Sequence, residues 1–255
     1  MTQARVEAIQ IGKSFYQLRL KRTVTVLKEI SLSVLPGEFI SIVGMSGVGK
    51  TTLLHILAGI AEPTEGQILL NGREMAAGRE RAIVFQNPAL LPWRTVIKNV
   101  SYGLECLKED PHLTKSKAEQ MLNLVNLGGF GLHYPHELSR GMQQRVSLAR
   151  ALAVDPDILL MDEPLASLDA QTREVMQREL ISIWEETKKT FIFVTHQVSE
   201  AVFLADRVVV LAGVPARVHA VINVPLGRPR ENGVRYSKPF KECEQQIRTL
   251  LGNTA

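Results

Sequence analysis

The sequence predicts an α/β fold, a mostly parallel sheet core with helices on its faces, and three observations carry that prediction. Short apolar strand patterns recur at 38–43, 67–70, 82–85, 158–162, 191–195 and 207–211, with helical periodicity between several of them. The loop Gly44-Met45-Ser46-Gly47-Val48-Gly49-Lys50-Thr51 stands between an apolar strand, Phe39-Ile40-Ser41-Ile42-Val43, and a helical pattern, Thr52-Leu53-Leu54-His55-Ile56-Leu57. Between Asn87 and Pro156 strand signals vanish and helical periodicity dominates. Alternating strands and helices build a largely parallel sheet whose ligands sit at the carboxyl ends of the strands.

Taken in order, residues 6–34 read as strands joined by the basic turn Arg19-Leu20-Lys21-Arg22, a small antiparallel sheet at the N-terminus. The first core strand, 38–43, feeds the glycine-rich loop and its helix, and the strands at 67–70 and 82–85 follow. Helices are expected at 95–108, 116–127 and 140–154, an inserted helical subdomain. The strands at 158–162, 191–195 and 207–211 complete the core, and a Pro- and Arg-rich stretch leads to a last helix at 238–251. In that helix Phe240, Ile247, Leu250 and Leu251 form a modest apolar stripe. The expected division is a core of 1–86 and 157–225 that includes the N-terminal β part, a helical subdomain of 87–156, and a tail of 226–255 with a short helix.

A chain of 255 residues has ample interior for such a domain. Apolar residues make up 45% and charged residues 22%, and no run approaches the roughly eighteen apolar residues of a membrane span, so the chain is not expected to cross a bilayer. The start, Met1-Thr2-Gln3-Ala4-Arg5-Val6-Glu7, lacks a secretory layout, and Cys106 and Cys243 have no metal-like spacing, which makes a reducing cytosol the expected home. The net charge of +4 is mild. Its basic clusters are short and poor in interleaved aromatics, so solvated faces or a nearby acidic lipid surface account for them and no nucleic acid partner is expected.

The loop at 44–51 has the G-x-x-x-x-G-K-T spacing of a phosphate cradle. Its glycines let backbone N–H groups converge on phosphates, the following helix presents its positive end, Lys50 adds a charge, and Thr51 can ligate Mg²⁺. A nucleoside triphosphate is the expected ligand, held by Gly44, Met45, Ser46, Gly47, Val48, Gly49, Lys50, Thr51 and Thr52. The strand Ile158-Leu159-Leu160-Met161 delivers Asp162 and Glu163 at its carboxyl end. Adjacent side chains face differently, so Asp162 can hold Mg²⁺ while Glu163 orients or deprotonates the attacking water. In Leu138-Ser139-Arg140-Gly141-Met142-Gln143-Gln144-Arg145, the serine suits a helix N-cap.

Leu-Ser-x-Gly-x-Gln-x-Arg between a phosphate loop and an Asp-Glu-Pro strand resembles the signature order of ATP-binding cassette (ABC) ATPases, and the resemblance covers nearly the whole chain. Further residues match in order. Gln86 corresponds to the family's Q-loop glutamine, which touches Mg²⁺ or water. Ser167-Leu168-Asp169 looks like the D-loop that contacts a partner subunit, and His196 matches the switch histidine that senses the γ-phosphate. The resemblance implies a RecA-like ATP-binding core and a head-to-tail dimer with two ATP–Mg²⁺ sandwiched between subunits. Each site is then composite: the phosphate loop and Glu163 come from one chain, Ser139 and the Gly141 backbone from the other. The second subunit is a copy of this chain or a sister ATPase. Closure on ATP and opening after hydrolysis would move whatever is docked on the helical subdomain.

Two features depart from or blur the family pattern. Arg140 stands where the family usually has glycine, and Met142 where it often has glutamine; the expectation is that Arg140 points away from the phosphates. The aromatic that the resemblance leads one to expect on adenine is Phe15, with its neighbour Tyr16 as rival, since alternate residues on a strand face opposite ways and only one can stack.

A narrower resemblance rests on Leu91-Pro92-Trp93-Arg94-Thr95-Val96, Asp169-Ala170-Gln171-Thr172-Arg173 and Glu200-Ala201-Val202-Phe203-Leu204-Ala205-Asp206-Arg207. These look like the ATPase subunits of bacterial importers of nitrate, sulfonates, taurine and related small anions. The resemblance implies two membrane permease partners, an indirect link to a solute-binding protein, and a peripheral place on the cytoplasmic face of the prokaryotic inner membrane. Trp93 would anchor the permease interface, the alternative being a core tryptophan of the subdomain. Two other classes compete. A soluble ABC ATPase that remodels DNA-repair or ribosomal complexes usually carries long coiled-coil insertions, and this chain has no sustained heptads. A P-loop kinase of a small metabolite would not need the signature. An ABC exporter subunit is a further possibility, since substrate choice is written in other polypeptides.

Overall fold

The computed structural model describes residues 3–74 and 78–252, which fold as α/β with one antiparallel sheet and parallel strand pairs. By internal contact the chain forms two compact units, one of Met1–Ala77 with Thr190–Ala255 and one of Gly78–Lys189.

The first unit opens with β1 (Val6–Gln17) and β2 (Arg22–Val34), an antiparallel hairpin closed by a 3-10 turn at Leu18–Leu20. Lys21 takes left-handed angles and its N–H returns to the Leu18 carbonyl, which lets the basic turn reverse the chain. The next strand, β3 (Phe39–Val43), is buried at every position, and an apolar run is what a strand covered on both faces requires. The loop at 44–49 leads into α1 (Lys50–Ala58), ended by Gly59 in the left-handed conformation. Strand β4 (Glu65–Leu70) then pairs antiparallel with β1, and a two-residue β5 (Arg73–Glu74) completes a sheet of order β2-β1-β4-β5.

The second unit holds a parallel pair, β6 (Arg81–Val84) and β7 (Ile158–Asp162), with helices between and after them. The single helix expected at 95–108 is two, α2 (Val96–Val100) and α3 (Tyr102–Cys106). Ser101 joins them with ψ near −13°, a tightened turn, and its hydroxyl reaches Glu105 at 2.7 Å instead of leaving the helix regular. Helix α4 (Pro111–Leu124) begins earlier than the periodicity suggested, because Asp110 accepts the His112 and Leu113 N–H groups and Pro111 occupies the first position. Helix α5 (Arg140–Ala153) packs with α2 and α4, and α6 (Ala170–Thr187) follows β7.

The first unit resumes with β8 (Thr190–Thr195), α7 (Val198–Leu204), β9 (Arg207–Ala212) and β10 (Arg217–Asn223). Strands β8 and β9 flank β3 in parallel, while β10 pairs antiparallel with β9. The tail ends in α8 (Lys238–Gly252), which buries Phe240, Cys243 and Ile247 and packs on α7, β9 and β10. The stripe expected from Phe240 and Ile247 is present; Leu250 and Leu251 are half-buried, and Cys243 completes it.

Candidate functional site

Strand β3 and strand β8 run parallel with Val43 opposite Thr195. The residues that follow them, Gly44 at the head of the phosphate loop and His196, therefore leave neighbouring strands at the same carboxyl end, where α/β sheets bind ligands. Gly47 and Gly49 have φ of +78° and +111°, values that only glycine adopts without strain. At Gly49 a Cβ would also lie 2.9 Å from Leu27 Cδ2 and 3.0 Å from Val26 Cγ1, so the loop presses directly on β2. Lys50 is buried, and its ammonium donates to the carbonyls of Gly44 and Met45 at 3.0 Å each. The N–H groups of the first turn of α1, including Thr51 and Thr52, lack acceptors within the helix, as at any helix start.

The β1–β2 register separates the two candidate aromatics. Phe15 is opposite Val24 and Tyr16 opposite Thr23, and paired residues share a face. The register shifts between Lys13, opposite Leu27, and Ser14, opposite Thr25, leaving Val26 as the extra residue of a bulge. Val26 and Leu27 both reach Gly49. Phe15, Val24, Val26 and Leu27 thus lie on the face that abuts the phosphate loop, and Tyr16 lies on the other.

In the second unit, Val84 pairs with Met161, so Gln86 and the Asp162–Glu163 pair follow neighbouring parallel strands at one end. Asp162 is buried, Glu163 is half-buried with a left-handed φ of 44°, and Gln86 is exposed. The loop that carries Gln86 is gripped by α5. Gln144 donates to the Phe85 carbonyl at 3.2 Å, and Arg150 donates to the carbonyls of Ala89 and Pro88 at 2.9 and 2.8 Å. Burial holds the Arg150 guanidinium below its usual range. Neither residue was singled out by the sequence, because a helical Gln or Arg carries no local sign of what it grips.

The other end of α5 is the signature segment. Ser139 is exposed and caps the helix by accepting the Met142 N–H at 3.3 Å; Arg140 is exposed beside it. Gly141 is buried, and a Cβ there would stand 2.8 Å from Thr172 Cγ2 of α6, so close helix packing alone demands glycine. Asp169 caps α6 by accepting the Thr172 N–H at 3.0 Å, and hydrogen bonds from Thr172 hold its carboxyl below the usual range. Ser139, Gly141 and Asp169 each therefore have a local structural duty as well as the expected one.

Trp93 is 72% exposed, which overturns the core alternative. It is mounted on a loop stapled by the buried Asn99, whose amide donates to the Leu91, Arg94 and Thr95 carbonyls at 3.0–3.1 Å and accepts the Leu91 N–H at 2.7 Å. Arg94 grips Glu105 through both carboxylate oxygens at 2.7 Å.

Among the described residues no cluster of three or more His, Cys, Asp or Glu could hold a metal by itself. The donors expected from the sequence, the Thr51 hydroxyl in the first unit and the Asp162 carboxylate and Gln86 amide oxygen in the second, are each hard oxygens. Oxygens of this kind suit Mg²⁺, which takes few protein ligands together with phosphate oxygens and water.

Residues 27–166 match the family model described as ABC transporter. An uncharacterized ABC transporter ATP-binding protein of Methanocaldococcus jannaschii is 50% identical over 89% of this chain and 85% of its own length. A taurine import ATP-binding protein of Pelagibacter ubique is 47% identical over 91% of this chain and 89% of its own. Among solved structures, the dimeric ATP-binding cassette in a post-hydrolysis state bound to ADP and Pi superposes with a TM-score of 0.76 at 30% identity, covering 87% of this chain and all (100%) of that one.

Proposed function

This chain belongs to the ABC transporter family of ATP-hydrolysing proteins, and from that premise we propose that it is the ATPase subunit of an importer for a small anion such as taurine, another sulfonate or nitrate. The importer class and the solute rest on the taurine import relative, whose match runs almost end to end. The site reading rests on one observation above the others: the phosphate loop and His196 emerge side by side from paired strands β3 and β8.

The phosphate loop binds the triphosphate, with Lys50 exchanging the Gly44 and Met45 carbonyls for phosphate oxygens and the first turn of α1 directing its N–H groups at the phosphates. Phe15 stacks on adenine from the face next to Gly49. Thr51, Asp162 and Gln86 would hold Mg²⁺, which when bound neutralises charge on the phosphates. Glu163 orients and deprotonates water, and His196 contacts the γ-phosphate. Ser139 and the Gly141 backbone face the nucleotide of a second subunit, as Asp169 faces that subunit, so a competent site needs two chains. That a cassette sharing this fold is dimeric with ADP and Pi bound supports a reading in which two chains act together.

The helical segment 87–156 acts as the arm that receives the permease at Trp93, with 1–86 and 157–225 as the ATP-binding core. No helix among the described residues is long and apolar enough to cross a membrane. The subunit works peripherally on the cytoplasmic face of a prokaryotic inner membrane, with permeases as membrane partners.

The test compares ATP turnover of the purified chain with Glu163→Gln while light scattering follows mass in ATP and Mg²⁺. The expected result is lost turnover and an ATP-dependent dimer in Glu163→Gln. Equal turnover and two monomers would refute the composite site.

A further inference from the structure

We propose that Thr195 and Glu200 are positioning residues for His196, locking the backbone step that carries the imidazole. The proposal rests on the reading of His196 given above and concerns what holds it in place. Thr195 is the last residue of β8 and is 2% exposed; Glu200, in the first turn of α7, is 3% exposed. Glu200 Oε2 lies 2.5 Å from Thr195 Oγ1, and the same Oγ1 accepts the Gln197 N–H at 3.0 Å. His196 stands between the two residues that this hydroxyl ties together.

The polarity of the network follows from its members. The Thr195 hydroxyl donates its single proton to Glu200 Oε2, and a lone pair of the same oxygen accepts the Gln197 amide. The turn at His196 is therefore closed by a side chain whose own orientation is dictated by Glu200. A helix N-terminus also favours a carboxylate in its first turn.

Helix α7 is fixed at its far end too. Arg230 donates to the carbonyls of Val202, Phe203 and Ala205 at 3.1, 2.9 and 2.8 Å. The segment behind His196 is thus a strut anchored at both ends, and Thr195 sits opposite Val43, the residue before the phosphate loop. His196 itself is exposed, while Thr195 and Glu200 are buried and Gln197 is half-buried.

A merely structural threonine and a positioning one are separated by a double-mutant cycle in the purified chain, with kcat, nucleotide Kd from a fluorescent ATP analogue, and melting temperature read for each variant. His196→Ala is expected to lower kcat at least about tenfold, and Thr195→Val to lower kcat by about the same factor with Kd within about twofold. Thr195→Ser, which keeps the hydroxyl, recovers most of the loss. The double variant Thr195→Val/His196→Ala is no slower than His196→Ala alone, because there is no imidazole left to misplace. Additive losses in the double variant, or parental kcat in Thr195→Val, overturn the positioning role while leaving His196 intact. Parental kcat in His196→Ala instead removes the reading of His196 on which the proposal stands. If Thr195→Val fails to fold, Glu200→Gln takes its place in the cycle. Its carboxamide can donate as well as accept, so the hydroxyl loses its dictated direction, and the same criteria apply.

Discussion

Phe15 stands directly across from Val24 in the β1–β2 hairpin, and that pairing decides which of two neighbouring aromatics faces the phosphate loop. Through the bulge at Val26 the same face continues to Gly49. Lys13 reinforces the arrangement, its ammonium 5.1 Å from the Phe15 ring centroid while it donates to the Glu62 carbonyl. Stacking of a base on an aromatic ring contributes about 1–3 kcal/mol. Phe15→Ala should therefore raise the Kd for ATP roughly tenfold, and Tyr16→Ala should leave it within about twofold. A titration showing the larger loss in Tyr16→Ala would mean that the bulge does not set the face.

Trp93 is presented to solvent by a loop whose backbone is already satisfied by Asn99, so the indole is free to serve a partner without cost to the fold. Large exposed aromatics on rigid mounts are the residues that dominate interfaces. Trp93→Ala should keep nucleotide affinity, basal turnover and melting temperature near the parental values, yet abolish uptake when the chain is assembled with its permeases. Unchanged uptake of radiolabelled solute in reconstituted vesicles would remove Trp93 from the interface.

The fold was legible where one local cause acts. Strands β3, β7, β8 and β9 are buried apolar runs, and the hairpin turn announces itself by its basic break in pattern, so these read directly from the sequence. Strand β10 did not, because it is half-exposed along its length and carries only a weak alternation, Arg217-Val218-His219-Ala220-Val221-Ile222-Asn223. The break of the expected 95–108 helix at Ser101 depends on a hydrogen bond to Glu105, and the early start of α4 depends on the Asp110 cap; only the second had a visible signal, Asp before Pro. The residues of the expected site were named from sequence motifs. Their supports, Gln144, Arg150, Asn99 and the Thr195–Glu200 pair, act across loops and elements that periodicity does not connect.

The tail offers the sharpest stability prediction. Expected only as a Pro- and Arg-rich stretch, it inserts Arg230 with a fully enclosed side chain (0% exposed) against the end of α7. The guanidinium donates to four carbonyls, those of Val202, Phe203, Ala205 and Leu226, and lies 3.9 Å from Asp206. Burial, aided by nearby Arg228, holds its pKa down to about 10, so it is still charged at neutral pH. Arg228 repeats the theme, donating to the Leu204 carbonyl and to Asp206. Removing the donor takes this partner from the Val202, Phe203 and Ala205 carbonyls, and breaking such a buried network costs about 3–5 kcal/mol. That is a large part of the roughly 5–15 kcal/mol that holds a domain folded. Arg230→Ala should lower the urea midpoint strongly. Arg230→Lys should recover only part of the loss, because an ammonium has three donors and no planar fork to span carbonyls on both α7 and the tail. Equal midpoints for the parent and both variants would show that the tail merely rests on α7 and does not clasp it.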